Sequence, residues 1–463
     1  MLRRLLLIST ISVTLTACAG VTPLAEAPRL DSPDAFAAAA QLDAGQPVGD
    51  WVAALGDSGL EALVDEAMRR NPDVMVAIAT LEAAEAGARS ANAGRLPTAG
   101  ASAGASETNR ESGSTTGFSL GADISWQADV WGRLSDAARA GAFSREAAEA
   151  DLYGARLSVA GAVARGWFAV IEARHQTELA ERDVTAREDQ LEIVERRFQR
   201  GVSRSSDVRT ARSALATSRA ALAGRVRTEA AARRSLEILA GRYPAAQLEA
   251  GADLPDLGPA PALLAPGPLL ERRPDVAAAE LRLTAAGFSA EAARKALYPS
   301  LSLSADISSS AGDLGDLLDG DALVETVSAS LLAPLFQGGR LRAERDRAAA
   351  EARAQAGRYI RTVLAAWRET EDAIFAEQEV EERVAQLAVA REEAAAALQL
   401  VERQYASGVA TIFELIDAQT RLISAEGSLI TARTDRADSR VALHLALAGD
   451  FNAGGGLTAH PAQ

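Results

Sequence analysis

Phe118-Ser119-Leu120-Gly121-Ala122-Asp123-Ile124-Ser125-Trp126-Gln127-Ala128-Asp129-Val130 puts an apolar side chain at every even position and a polar or small one at every odd position. That period of two belongs to an extended strand with one apolar face and one polar face. About 13 residues suffice to cross a bilayer at the tilt of a barrel strand. Leu301-Ser302-Leu303-Ser304-Ala305-Asp306-Ile307-Ser308 repeats the pattern, and residues 98–106 alternate Ala with Ser and Gly. A weaker fourth strand falls within 323–335. The strands therefore come as two pairs, expected at about 96–107 with 118–131 and at about 299–308 with 323–335, joined by polar loops at 107–117 and 309–321. Trp126, Trp131, Tyr298 and Phe336 bracket them as candidate interfacial aromatics. Four strands cannot close a membrane barrel, which takes about eight. Open strand edges are not tolerated in lipid, so the chain must be completed by other copies.

Outward from the first strand pair, the chain changes period and then says nearly the same thing again. No proline interrupts residues 134–200 or 340–407. Each of these stretches reads as one helix of roughly 100 Å at 1.5 Å rise per residue. Asn71-Pro72-Asp73-Val74 recurs as Arg273-Pro274-Asp275-Val276, and Leu96-Pro97 as Tyr298-Pro299. Asp129-Val130-Trp131-Gly132-Arg133 is echoed by Pro334-Leu335-Phe336-Gln337-Gly338-Gly339-Arg340, and Arg197-Phe198-Gln199-Arg200-Gly201-Val202 by Gln404-Tyr405-Ala406-Ser407-Gly408-Val409. Ordered landmarks of this kind mark an internal duplication. The repeats are expected at 51–240 and 271–448, separated by a Pro-rich linker at 241–270 and followed by a flexible tail at 449–463. Gly201 and Gly408 sit where each long helix can turn back, since glycine accepts left-handed backbone. Return helices follow at 206–239 and 412–447, with further helices at 274–297 and 60–93 stacked to match the outgoing lengths.

Arg3-Arg4 followed by an apolar run is a signal peptide, residues 1–17, too short to span a bilayer. It ends in Leu15-Thr16-Ala17-Cys18, and Cys18 is the one cysteine of the 463 residues. Small residues before a lone Cys resemble a lipobox, which makes Cys18 the expected site of acylation and 18–50 a lipid-anchored segment. Ala19 at the next position directs such a lipoprotein to the outer membrane by analogy with lipoprotein sorting. One cysteine excludes internal disulfides and Cys-cluster metal sites, and a net charge of −15 argues against nucleic acid. The chain has 48% hydrophobic but only 4% aromatic residues, the composition of long packed helices. His175, His444 and His460 stand apart, and no phosphate-binding loop or nucleophile elbow occurs. The expectation is no enzyme, no metal and no cofactor.

Taken together these residues resemble the TolC-like outer membrane factors of bacterial efflux and secretion systems, closest to the lipoprotein branch of the OprM and NodT type. The match is carried by Cys18, by Trp126 to Arg133 as Trp-Gln-Ala-Asp-Val-Trp-Gly-Arg, and by Leu269-Leu270-Glu271-Arg272-Arg273-Pro274-Asp275-Val276. The stretch from Pro334 to Arg340, the two Gly-Val turns and Leu415-Ile416-Asp417-Ala418-Gln419 complete it. The family pattern departs at Gln127 and Ala128 and at Thr420, where an Arg is usual and Arg421 follows. The resemblance implies an α+β membrane protein. Long helical hairpins form a periplasmic tube, and four strands per chain contribute to a trimeric twelve-stranded barrel. It implies a passive exit duct for small molecules such as drugs, working with a periplasmic adaptor and an inner-membrane pump of the resistance-nodulation-division type. A type I protein-secretion duct and a non-pore lipid-anchored coiled-coil scaffold are the alternatives. It further implies adaptor contacts at Gly201, Val202, Ser203, Gly408, Val409 and Ala410, and a gate built from Tyr405, Phe413, Asp417 and Arg421 with Asp207.

Overall fold

A computed structural model describes residue 28 and residues 30–41, 50–111, 113–319 and 323–449. Cys18 and most of the tail at 449–463 lie outside these described residues. The chain divides into two compact units: one holds Arg89–Phe143 and Arg282–Gly357, and the other is built from the described parts of 30–88, 144–281 and 358–449.

In the first unit, β1 (Thr98–Arg110), β2 (Gly113–Ala128), β3 (Ser300–Ala311) and β4 (Leu323–Leu332) form one antiparallel meander in the order β1-β2-β3-β4. Both outer edges, those of β1 and β4, carry no partner strand among the described residues. Ala101 pairs with Ala122 and Ala122 with Ile307; Ile124 pairs with Ala305 and Ala305 with Val327. The register thus puts Ala99, Ala101, Ala103, Phe118, Leu120, Ile124, Leu303, Ile307 and Val327 on a single face. Ser102, Ser119, Asp123, Asp306 and Ser328 take the other. A slip by one residue would scramble this division, which is why one-sided chemistry fixes a register.

The strands run further from the helices than the sequence suggested. Of the expected polar loop at 107–117, residues 107–110 and 113–117 are ladder, closed by the Arg110–Gly113 pair with Gly113 at φ 131°. Thr108 pairs with Thr115 and Glu107 with Thr116, so β-branched polar residues extend the sheet where polarity alone suggested a loop. At the other end β2 stops at Ala128 rather than 131, because Asp129 turns to cap the next helix. Its carboxylate accepts from Leu134 N at 2.9 Å and Ser135 N at 2.8 Å, across a turn in which Gly132 has φ 74°. Burial alone would raise the Asp129 pKa, yet those N–H groups and the Ser135 side chain hold it below the usual carboxylate range. The second loop at 309–321 likewise gives three residues to β3 and contains a 3-10 turn at Leu314–Leu318. β4 ends at Leu332, ahead of Pro334, which has no N–H to offer a ladder.

The helices are α1 (Trp51–Ala54), α2 (Ser58–Arg70), α3 (Pro72–Ala93), α4 (Arg133–Gln199), α5 (Ser205–Leu239), α6 (Pro266–Arg272), α7 (Pro274–Lys295), α8 (Arg340–Ala406) and α9 (Ile412–Ala446). The single helix expected over 60–93 is in fact two. Asn71, at φ −65° and ψ 129°, is pushed out of the helical region by Pro72, and its side chain then caps α3 through Asp73 N at 2.8 Å. Arg273 before Pro274 likewise leaves the helical region in the second half, at ψ 121°. The linker expected at 241–270 also contains most of α6, started by Pro266 at a first-turn position where no N–H is needed.

In the second unit the core lies along the middle of α4. Val163, Ala164, Phe168 and Ile171 pack with Leu60, Leu63 and Ala67 of α2, with Leu236 of α5 and with Val441 of α9. Small side chains let these helices approach closely. A Cβ added at Gly161 would meet Leu445 Cδ1 at 2.5 Å. The linker is fastened onto this core by two charged groups. Glu237 accepts from Ala246 N, Gln247 N and Leu248 N at 2.7, 2.7 and 3.0 Å. Arg440 donates to Gly258 O at 2.8 Å and to Glu377 Oε1 at 3.0 Å from Nε. A charged pair this deep persists because nearly every polar atom in it is hydrogen-bonded.

Candidate functional site

The sheet defines the first part of the site. Its apolar face is exposed in the single chain: Val327 is 87% accessible, Leu331 71% and Ile124 52%. Such a face beside two unpaired edges has no stable place in water or, alone, in lipid. Two of the four candidate interfacial aromatics are tied at its base. Trp126 Nε1 donates to Arg95 O at 2.8 Å, and Trp131 Nε1 to Pro299 O at 2.7 Å. Tyr298 packs on Trp131 with ring centroids 5.5 Å apart, while Phe336 stays 89% exposed. Lys295, the only lysine in the sequence, bonds Asp136 at 2.5 Å beside them. Among the described residues no helix is long and apolar enough to cross a membrane.

The two hairpin turns define the second part, and they are copies of each other. Gly201 (φ 74°) donates to Phe198 O at 2.9 Å and Val202 to Arg197 O at 2.9 Å. Gly408 (φ 82°) donates to Tyr405 O at 3.1 Å and Val409 to Gln404 O at 2.8 Å. Both are Schellman motifs, with a left-handed residue that only glycine adopts at no cost. Val202 and Val409 are 64% and 77% exposed, so each turn presents an apolar tip. Ser203 and Ala410 are half-buried at the start of the return. The return helices are then capped differently: Asp207 accepts from Arg204 N at 3.0 Å, and Thr411 pairs with Glu414 in a capping box.

The proposed gate residues fall into two groups rather than one. Phe413, Asp417 and Arg421 follow each other at four-residue spacing on α9, with Phe413 63% exposed. Arg421 Nε bonds Asp417 Oδ2 at 2.7 Å, and both side chains are open to solvent. Tyr405 sits elsewhere, buried in the tip core with Val194, Val208, Ala211, Ile412 and Leu415. Burial pushes its pKa up, with Asp207 adding and Arg197 opposing. Asp207 is thus both the cap of α5 and a neighbour of Tyr405.

Two arginines that sequence reading passed over join the hairpins here. Arg197 lies 4.8 Å from the Tyr405 ring centre and donates from Nη1 to Tyr405 O at 2.9 Å. Arg187 is 5% exposed and bridges Asp183 and Thr420. Each looked like one more charge on a helix that alternates signs. The duplication carried a signal for Arg197 alone, because it occupies the turn position that Gln404 fills in the second half. Among the described residues no group of three or more His, Cys, Asp or Glu side chains is placed to hold a metal ion.

A one-sided sheet whose two edges are open among the described residues defines a piece of barrel wall that other copies must complete. The chain belongs to the outer membrane efflux protein family, whose pattern it matches over residues 63–242 and 265–449. It is 30% identical over 430 residues to the pyoverdine export outer membrane protein OpmQ of Pseudomonas aeruginosa, covering 90% of each chain. To the outer membrane protein OprJ of the same organism it is 28% identical over 97% of this chain and 96% of that one. Among solved structures, the outer-membrane channel OprN superposes with a TM-score of 0.82 at 27% identity, over 92% of this chain and 99% of that one. The protein is therefore an outer-membrane efflux channel: a trimeric exit duct whose strands form a barrel in the outer membrane and whose helices form a tube in the periplasm. The family and these relatives are channel proteins rather than enzymes.

Proposed function

We propose that this duct conducts small molecules such as drugs, passively, from an inner-membrane pump of the resistance-nodulation-division type through a periplasmic adaptor. The observation that carries this reading is the pair of matching apolar turns at Gly201-Val202 and Gly408-Val409. Two per chain give a ring of six tips per trimer, a repeating edge suited to a multimeric adaptor. The sequence carries no phosphate-binding glycine loop, and the driving energy on this reading comes from the partner. A lipid-anchored scaffold without a pore would have no use for a sheet polar on one face and apolar on the other. Acylation of Cys18 anchors the mature chain in the outer membrane beside its barrel. Phe413, Asp417 and Arg421 narrow the periplasmic mouth, with Tyr405 packed behind them and Asp207 capping the neighbouring helix. Three Asp417 carboxylates drawn together repel, and the Arg421 partner on each offsets that repulsion.

Co-purification from cross-linked cells tests the assignment, with the Gly201→Trp, Gly408→Trp double variant as the control. Recovery of an adaptor and a resistance-nodulation-division pump with wild type, and their loss together with dye efflux from intact variant trimers, is the expected result. Wild-type efflux and adaptor cross-linking in the double variant would remove the turns from the docking surface.

A further inference from the structure

Three helices of the second unit meet at a layer that does not suit its surroundings. On α4, Arg187 Nε donates to Asp183 Oδ1 at 3.2 Å and Nη2 donates to Thr420 Oγ1 of α9 at 3.1 Å. The hydroxyl of Ser218 on α5 donates to the other oxygen of Asp183. Arg187 is 5% exposed, Gln190 one turn further on is 4% exposed, and Gln419 beside Thr420 is 9% exposed. Arg187 Nη1, Gln190 Nε2 and Gln419 Oε1 are buried without a hydrogen-bond partner in the protein. Just beyond, toward the turns, the packing is apolar: Val194, Val208, Ile412 and Leu415. Hydrocarbon side chains at both 183 and 187 would pack the seam without unmet donors, so stability alone does not account for this pair.

Its geometry does. Asp183 and Arg187 lie one turn apart on the same helix, so their pairing is fixed whatever α9 does. The guanidinium is a rigid fork with several donors, of which one engages α9 and one is idle. The idle acceptor on α9, Gln419 Oε1, belongs to the residue immediately before the engaged one. Neighbouring residues on a helix differ by about 100° of rotation and 1.5 Å of rise. A turn of α9 about its own axis therefore exchanges Thr420 for Gln419 at the fork. We propose that Arg187 is a positioning residue for opening, a two-position latch that holds α9 by Thr420 in this form and by Gln419 when the mouth is parted. Unmet buried groups call for an explanation, and a second position of α9 that engages them supplies one. The proposal rests on the reading that α9 narrows the mouth through Phe413 and Asp417.

Single-channel recording of trimers in planar bilayers tests it, with heat-resistant migration as the check on assembly. Thr420→Val removes the engaged acceptor at an exposed position and should raise the open fraction roughly tenfold, as loss of one hydrogen bond to a charged donor does. Thr420→Ser keeps the hydroxyl and should behave as wild type; Thr420→Ala replaces the valine variant should that fail to assemble. Gln419→Met removes the idle acceptor and should shorten openings instead. Opposite signs for the two positions support a latch, because simple loosening of the seam would move both the same way. A Thr420→Val or Thr420→Ala channel gating as wild type, or a Gln419→Met channel that opens more, overturns the proposal. Asp417→Ala separates the two readings. If Asp417→Ala opens the channel and the Thr420 variants do not, only the latch fails. If the Thr420 and Gln419 variants respond and Asp417→Ala does not, the latch stands without Asp417 in the constriction.

Discussion

Asp438 and His444, both on α9, should titrate against one another. Burial first, then Asp435 and Glu172, push the Asp438 carboxyl up to about 6 from 3.8, with Arg165 opposing. His444 is 5% exposed and stacked 5.8 Å from Trp51, and burial followed by Arg440 hold it down to about 4 from 6.5. Between pH 3.8 and 6 the native state holds a proton on Asp438 that the unfolded chain has released, so that contribution is lost as pH rises through 6. Between pH 4 and 6.5 the native state lacks a proton on His444 that the unfolded chain carries, so that contribution is lost as pH falls through 4. At 1.36 kcal/mol per pKa unit each is worth about 3 kcal/mol at most, less for Asp438, which keeps some access to water. From pH 6.5 to 4 the two largely cancel. Asp438→Asn should therefore gain stability at pH 7, lose that gain by pH 4, and fall more steeply than wild type on acidification. His444→Gln should shift the profile the other way, gaining on wild type as pH falls. Thermal unfolding midpoints of detergent-solubilised protein across pH 4–7 give the comparison. Profiles of both variants that run parallel to wild type would refute the assignment of these two groups.

Gly408→Val forces a β-branched residue into a left-handed site, where an L residue costs about 1–2 kcal/mol. The Val409 amide should then exchange with solvent about tenfold faster by mass spectrometry, whereas Gly408→Asn should change little. Glu377→Ala strands the Arg440 guanidinium, whose side chain is 6% exposed, and should cost about 3–5 kcal/mol in a denaturant titration, with Glu377→Gln milder. Asp417→Ala combined with Tyr405→Phe should yield a low-conducting open channel in planar bilayers, and conductance equal to wild type would remove both from the gate. Cys18→Ser should abolish metabolic acyl labelling while trimers persist, and an unmodified Cys18 in mature wild-type protein would end the lipoprotein reading.

Much of this fold was legible because its signals are long. Alternation over a dozen residues and a helix period over 67 leave little room for competing readings, and α4 and α8 each contain 67 residues. Gly201 and Gly408 were legible because a helix reversal needs a left-handed residue and both halves supply one at the same place. The break at Asn71 required weighing one proline against twenty helical neighbours, and the local clash won. Loop polarity misled at 107–117 because threonine serves both a loop and a polar strand face. Asp417 and Arg421 could be paired from spacing, since they share one helix. Arg187 could not, because its partner lies 233 residues away and no period links the two; for Arg197 the duplication marked the turn position but not the bond to Tyr405, 208 residues away.

The bare edges of β1 and β4 have a genetic consequence. Each chain lends the barrel one third of its wall, so no chain conducts alone and every pore takes on the worst of its three members. In a cell making equal amounts of wild type and of a variant that assembles but cannot open, only about one pore in eight would be wholly wild type. Defects confined to the mouth should therefore act dominantly over a normal copy of the gene. Defects in the strand edges, which keep a chain out of the trimer altogether, should be recessive.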